Sequence, residues 1–120
     1  MSEKNDISVV SDQIGSPSYS GDLAEVILQI IDNCQLSNEK CIPGIYHFSN
    51  VGVISWFNFA TAIKELTQSS NKINSISSAE YPTAAKRPAY SVLDNSKIQK
   101  TFNIKSKDWR SSLKSCIEKI

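Results

Sequence analysis

Histidine is nearly absent from this 120-residue chain, which holds only His47, and it carries just four glycines and three cysteines. A lone imidazole cannot supply the paired ligands of an H-E-x-x-H zinc site, and no serine sits in a G-x-S-x-G nucleophile elbow, so zincin and hydrolase-triad chemistry are excluded. Gly15, Gly21, Gly44 and Gly52 compose neither G-x-G-x-x-G nor G-x-x-x-x-G-K, and a complete nucleotide-binding fold is not expected within the chain. Cys34, Cys41 and Cys116 are odd in number and lack C-x-x-C spacing, which gives neither a disulfide framework nor a zinc site and points to the reducing cytoplasm. Apolar runs such as Val26-Ile27-Leu28 fall far short of the ~20 residues of a membrane span, so no membrane partner is expected, and no secretory signal either. Thirteen Lys and Arg against twelve Asp and Glu leave a net charge of +1, too little for a nucleic-acid partner. Four residues beyond Tyr19, Tyr46, Tyr81 and Tyr90 stand Leu23, Asn50, Ala85 and Asp94, so the Tyr-x-x-x-Lys pair of carbonyl reduction is missing too. By its own residues the chain reads as non-catalytic.

What is present is an ordinary globular composition, 40% hydrophobic and 21% charged, at a length that buries about two thirds of the unfolded surface without a metal or disulfide staple. Residues 1–6 are polar and expected to fray. Ile7 to Val10 is β-branched and short, as a strand would be, and Ser11 to Gly21 reads as a turn-rich loop. Asp22 is expected to cap a helix in which Leu23, Ile27, Ile30, Ile31 and Cys34 recur at helical spacing. Pro43-Gly44 precedes an expected strand, Ile45 to Phe48, and Ser55 caps a helix with Trp56, Phe59, Ala60, Ile63 and Leu66 as its apolar stripe. The Ser- and Asn-rich stretch 69–78 suggests a weak strand. Pro82 and Pro88 bracket an extended loop in which Pro88 drives Arg87 away from helical angles. Asp94 or Ser96 caps a short helix with Ile98 and Phe102, and Ser106 a last one with Trp109, Leu113, Cys116, Ile117 and Ile120. The predicted class is α+β, helices plus a few short strands, with no complete Rossmann domain.

Three segments in order carry a family resemblance. They are Val9-Val10-Ser11-Asp12-Gln13-Ile14-Gly15-Ser16-Pro17-Ser18 leading into Asp22-Leu23-Ala24, then Gly44-Ile45-Tyr46-His47-Phe48-Ser49-Asn50 with Ser55-Trp56-Phe57-Asn58-Phe59-Ala60, and last Ala85-Lys86-Arg87-Pro88-Ala89-Tyr90-Ser91-Val92-Leu93-Asp94. With Trp109-Arg110 and Leu113 they cover nearly the whole chain and resemble the C-terminal part of the dTDP-4-dehydrorhamnose reductases, extended short-chain dehydrogenase/reductases of the NAD(P)-binding Rossmann-like superfamily. Ser18 stands where that family usually has threonine, which keeps the hydroxyl. The resemblance implies an enzyme that reduces the C4 ketone of dTDP-4-dehydro-L-rhamnose with NADPH, often with Mg2+ present, to give dTDP-L-rhamnose for cell-surface polysaccharides. It implies that the dinucleotide glycines and the catalytic Tyr/Lys pair lie in an N-terminal half outside this chain. Residues 7–120 would then form a substrate-binding part, within which 22–48 completes the nucleotide-binding sheet, and the chain alone would bind no NADPH and show no reductase activity.

Arg87 is the foremost candidate for the dTDP diphosphate, because a guanidinium forks onto phosphate oxygens and Pro88 stiffens its loop; the competing role is a surface salt bridge. Lys86 could assist it electrostatically. Gln13 and Ser18 stand on a loop and could hydrogen-bond the sugar nucleotide, while Asp12 and Asp22 read as turn and cap residues. His47 is expected to pack rather than react, and Trp56 and Trp109 to fill the core. Two other functions remain open: a non-catalytic regulator resembling the β subunit of methionine adenosyltransferase, and another sugar-nucleotide epimerase or dehydratase. Exposure of the 22–48 face would favour self-association or a homodimer.

Overall fold

The computed structural model of the chain describes residues 6–36, 39 and 41–120. Residues 1–5 of the expected frayed end lie outside the described residues, but Asp6, grouped with them above, is already the first residue of a strand. β-Branched side chains favour an extended backbone, and β1 (Asp6–Val10) pairs in parallel with β4 (Lys72–Ile76), from Asp6 beside Lys72 to Val10 beside Ile76. The stretch read as a weak strand is therefore the neighbour of the first one. A parallel pair needs a long crossover. Here it contains β2 (Ile14–Gly15), α1 (Ser20–Leu36), β3 (Ile54–Ser55) and α2 (Trp56–Thr67). β2 pairs antiparallel with β3 and bridges to Tyr90 on its other side. The loop 11–21, expected to be irregular throughout, thus includes two residues of ladder. A short 3-10 helix, Ser78–Glu80, follows β4, and α3 (Ser96–Phe102) and α4 (Trp109–Glu118) close the chain.

Caps decide several boundaries. The Ser55 hydroxyl accepts the Asn58 N–H at 3.1 Å and starts α2 as expected. Asp94 accepts the Ser96 N–H at 2.9 Å at the head of α3. α4 is capped by Asp108, which accepts from Arg110 N at 3.0 Å, rather than by Ser106, and it ends before the exposed Ile120. α1 begins at Ser20, two residues before its expected cap, because the Tyr19 carbonyl already accepts from Leu23 N, and the Asp22 side chain turns inward to partners elsewhere in the fold.

The core is small. Val26 of α1 and Ile98, Phe102 and Ile104 form one cluster, with Ile30, Tyr46 and Phe48 packed against it and the Tyr46 and Phe102 rings 5.1 Å apart. α2 packs on β1, β4 and α4, with Phe59 edge-on to both Trp56 and Trp109. Trp56 nevertheless stays 36% exposed, so it fills the core less than expected. Gly52 has φ +127°, and a Cβ there would collide with the Trp109 ring.

The expected strand of the 22–48 region is not seen among the described residues, while its helix exposes an apolar stripe. Ile45 to Phe48 carries no strand pairing among the described residues; what lies against it is α3, whose Lys97 ammonium donates to Ile45 O at 2.9 Å and whose Phe102 meets Tyr46. Its side chains still alternate, Tyr46 and Phe48 inward and Ile45 and His47 outward, so His47 is exposed rather than packed. On α1 the stripe Leu23, Ile27, Ile31 faces solvent, and the inward face is Asp22, Val26 and Ile30.

Candidate functional site

The loop that carries Arg87 is exposed from Tyr81 to Ser91, yet it is anchored where it meets β2. Ile14 N donates to Ala89 O and Ser91 N to Ile14 O, both at 2.8 Å. This ladder brings the Arg87 loop beside Asp12 and Gln13, more than 70 residues away in sequence. Asp12, Ser78, Lys86, Arg87, Pro88 and Ala89 line an open cleft of about 530 Å³. Arg87 forms no ion pair among the described residues. Its fork of donors and the Lys86 ammonium suit an anion with several oxygens, such as a diphosphate.

Asp12, read above as a turn residue, instead ties two segments together. Its two oxygens accept the Ser78 N–H at 3.0 Å each, and one accepts the Ser78 hydroxyl at 2.6 Å. The hydroxyl and then the N–H of Ser78 hold the Asp12 carboxyl below its ordinary range. Gln13 Nε2 donates to Ser78 Oγ at 3.1 Å, which places the Gln13 amide against the cleft wall. Ser78 had no sequence signal of its own, since the pairing to Asp12 spans 66 positions.

Ser18 is not part of this cleft. It lines a separate cavity of about 220 Å³ with Pro17, Tyr19, Phe59, Trp109 and Leu113. Beneath that cavity lies Asn50, 1% exposed, which accepts from Tyr19 N at 2.7 Å and donates to Asp22 Oδ2 at 2.7 Å, Ser112 Oγ at 3.0 Å and Lys107 O at 3.1 Å. Ser112 Oγ also donates to Asp22, and the Lys107 ammonium lies 3.6 Å from its other oxygen. Burial pushes the Asp22 carboxyl up, but the Ser112 and Asn50 donors and the Lys107 charge outweigh it and hold the group below its ordinary value. The node joins α1, residue 50 and α4, and it therefore positions the Ser18 loop without offering a free reactive group.

The residues present do not fit a dinucleotide. The head of α1 carries Gly21, but a Cβ there would meet the Tyr19 ring at 2.8 Å, so a side chain rather than a phosphate occupies that approach. The first turn also holds the Asp22 carboxylate, which repels an anion. For a divalent cation, no group of three or more His, Cys, Asp or Glu side chains gathers among the described residues. Among them too, no helix is long and apolar enough to cross a membrane.

The family model described as the RmlD substrate binding domain matches residues 1–120. A dTDP-4-dehydrorhamnose reductase of Aggregatibacter actinomycetemcomitans is 44% identical over 90% of this chain and 38% of its own length. The spore coat polysaccharide biosynthesis protein SpsK of Bacillus subtilis is 41% identical over 96% of this chain and 38% of its own. The crystal structure of dTDP-4-dehydrorhamnose reductase from Bacillus anthracis in complex with NADP superimposes with a TM-score of 0.88 at 32% identity, covering 98% of this chain and 40% of that one. The chain thus spans about two fifths of the length of the relatives it matches.

Proposed function

The chain belongs to the RmlD substrate binding domain family, and from that premise we propose that it is the sugar-nucleotide-binding part of a dTDP-4-dehydrorhamnose reductase. The observation that carries the reading is the unpaired Arg87 beside Lys86 in a cleft anchored to β2. There Arg87 forks onto the diphosphate of dTDP-4-dehydro-L-rhamnose, Lys86 adds charge, and Gln13 meets the sugar nucleotide at the cleft wall. Ser18 acts from the neighbouring cavity, where it shapes the loop ahead of α1. The hydride from NADPH, the proton donor and any Mg2+ dependence belong to the rest of the longer protein, which covers the outward face of α1 and supplies a strand beside Ile45 to Phe48. The enzyme works in the cytoplasm, and its product, dTDP-L-rhamnose, feeds cell-surface polysaccharides.

The test is steady-state kinetics on the complete protein. A charge-assisted hydrogen bond contributes roughly 1.5–3 kcal/mol, so Arg87→Ala is expected to lower kcat/KM by about ten- to a hundred-fold. The diphosphate is remote from the reacting ketone, and much of the loss is expected in KM for the dTDP-sugar. NADPH affinity stays unchanged, and Arg87→Lys restores only part, because an ammonium keeps the charge without the fork. An unchanged KM for the dTDP-sugar would overturn the reading.

A further inference from the structure

We propose that Asp12 is a positioning residue of the Arg87 cleft, setting the orientation of the Gln13 amide through the Ser78 hydroxyl. The inference rests on the reading of that cleft as a diphosphate site.

An ionised carboxylate in an anion-binding cleft is the opposite of what Coulomb's law alone would choose, so its presence calls for another role. The geometry supplies one. A serine hydroxyl has a single proton, and here it goes to Asp12, which can only accept. The Ser78 oxygen is then left as an acceptor, and the Gln13 side chain must turn its NH2 rather than its carbonyl toward it. That choice fixes where the second N–H and the carbonyl oxygen of Gln13 point, next to Ser78 on the cleft wall. The Ser78 N–H, also held by Asp12, fixes the turn that follows β4, so the relay joins two walls of one cleft. Without the carboxylate, the hydroxyl is free to donate to the Gln13 carbonyl, and the amide is free to rotate.

Two roles for Asp12 predict opposite signs. If it is only a surface charge, its removal should tighten binding of an anion. If it positions Gln13, its removal should weaken binding even though a repulsive charge has gone. The experiment uses the complete protein, with dTDP as the probe and calorimetry as the readout. Asp12→Asn and Ser78→Ala are each expected to weaken dTDP about five- to ten-fold, the scale of one net hydrogen bond. The double variant is expected to bind no more weakly than the poorer single one, because both changes break the same relay. NADPH affinity should not move. Ser78→Ala retains the backbone N–H to Asp12, and it decides the matter if Asp12→Asn fails to fold. Unchanged or tighter dTDP binding in these variants, or additive losses in the double, overturns the proposal. Arg87→Ala separates it from its premise: a loss there with no loss in the relay variants leaves the cleft assignment standing and removes Asp12's role, whereas no loss at Arg87 removes both.

Discussion

At the scale of single residues, Asn50 does more to organise this chain than any residue its sequence marks. Its amide satisfies groups from the Ser18 loop, α1 and the approach to α4, all within a buried node. Asn50→Ala would leave the Tyr19 N–H unmet and strip the Asp22 carboxylate of a donor. Unsatisfied buried groups cost about 1–3 kcal/mol each, so urea unfolding of the variant should show a loss of at least about 2 kcal/mol. Asp22 gives the node a pH dependence of known sign. Its folded pKa lies below the unfolded value of about 3.9. Above that value the carboxylate is ionised in both states and its stabilisation is complete. As pH falls below it, the unfolded chain takes up the proton first, and stability is lost until the folded-state pKa has been passed. Unfolding measured between pH 3 and 7 should show this loss at the acid end, and Asp22→Asn should flatten it.

At the scale of elements, α4 depends on its cap more than its length suggests. It has ten residues, and Asp108 alone of its flanking side chains accepts an N–H of the first turn. Asp108→Ala should cost about 1 kcal/mol, read as a lower thermal midpoint, while Ser106→Ala should leave the cap untouched. The contrast explains why pattern reading chose the wrong residue. Ser106 and Asp108 are both competent caps, and only the path of the chain from Ile104, with Val51 bridged to Asp108, decides which one faces the free N–H groups. The apolar stripe of α1 teaches the same lesson. Leu23, Ile27 and Ile31 gave the helix its periodicity, but periodicity names a face without naming what covers it.

At the scale of the whole molecule, the surface is too large for the mass. The chain exposes 8369 Å², against about 6,450 Å² for a compact protein of 13.3 kDa. Its Cα radius of gyration, 17.3 Å, exceeds the roughly 14 Å of a compact chain of this length. The excess is of the size one partner loses in a large permanent interface, and its apolar part includes Leu28, Ile31 and Ile45. Prepared alone, the chain should therefore self-associate and bind a hydrophobic dye, and Leu28→Lys with Ile31→Lys should shift light scattering toward the monomer. A strict monomer at high concentration without dye binding would contradict this.

The order of amino acids by itself determined the helical periodicities, the Ser55 cap, the extended Arg87-Pro88 loop and the absence of a dinucleotide turn, because each follows from side chains within one or two turns of backbone. It also carried the family likeness. Tertiary structure alone decided that β1 lies beside β4, that Asp12 finds Ser78 across 66 positions, that Gln13 reaches Ser78 of the Arg87 cleft while Ser18 lines a separate cavity, and that Asn50 is the buried hub. These are contacts between segments far apart in the chain. Local propensity has no term for them, since their stability arises only when packing has brought both partners out of water together.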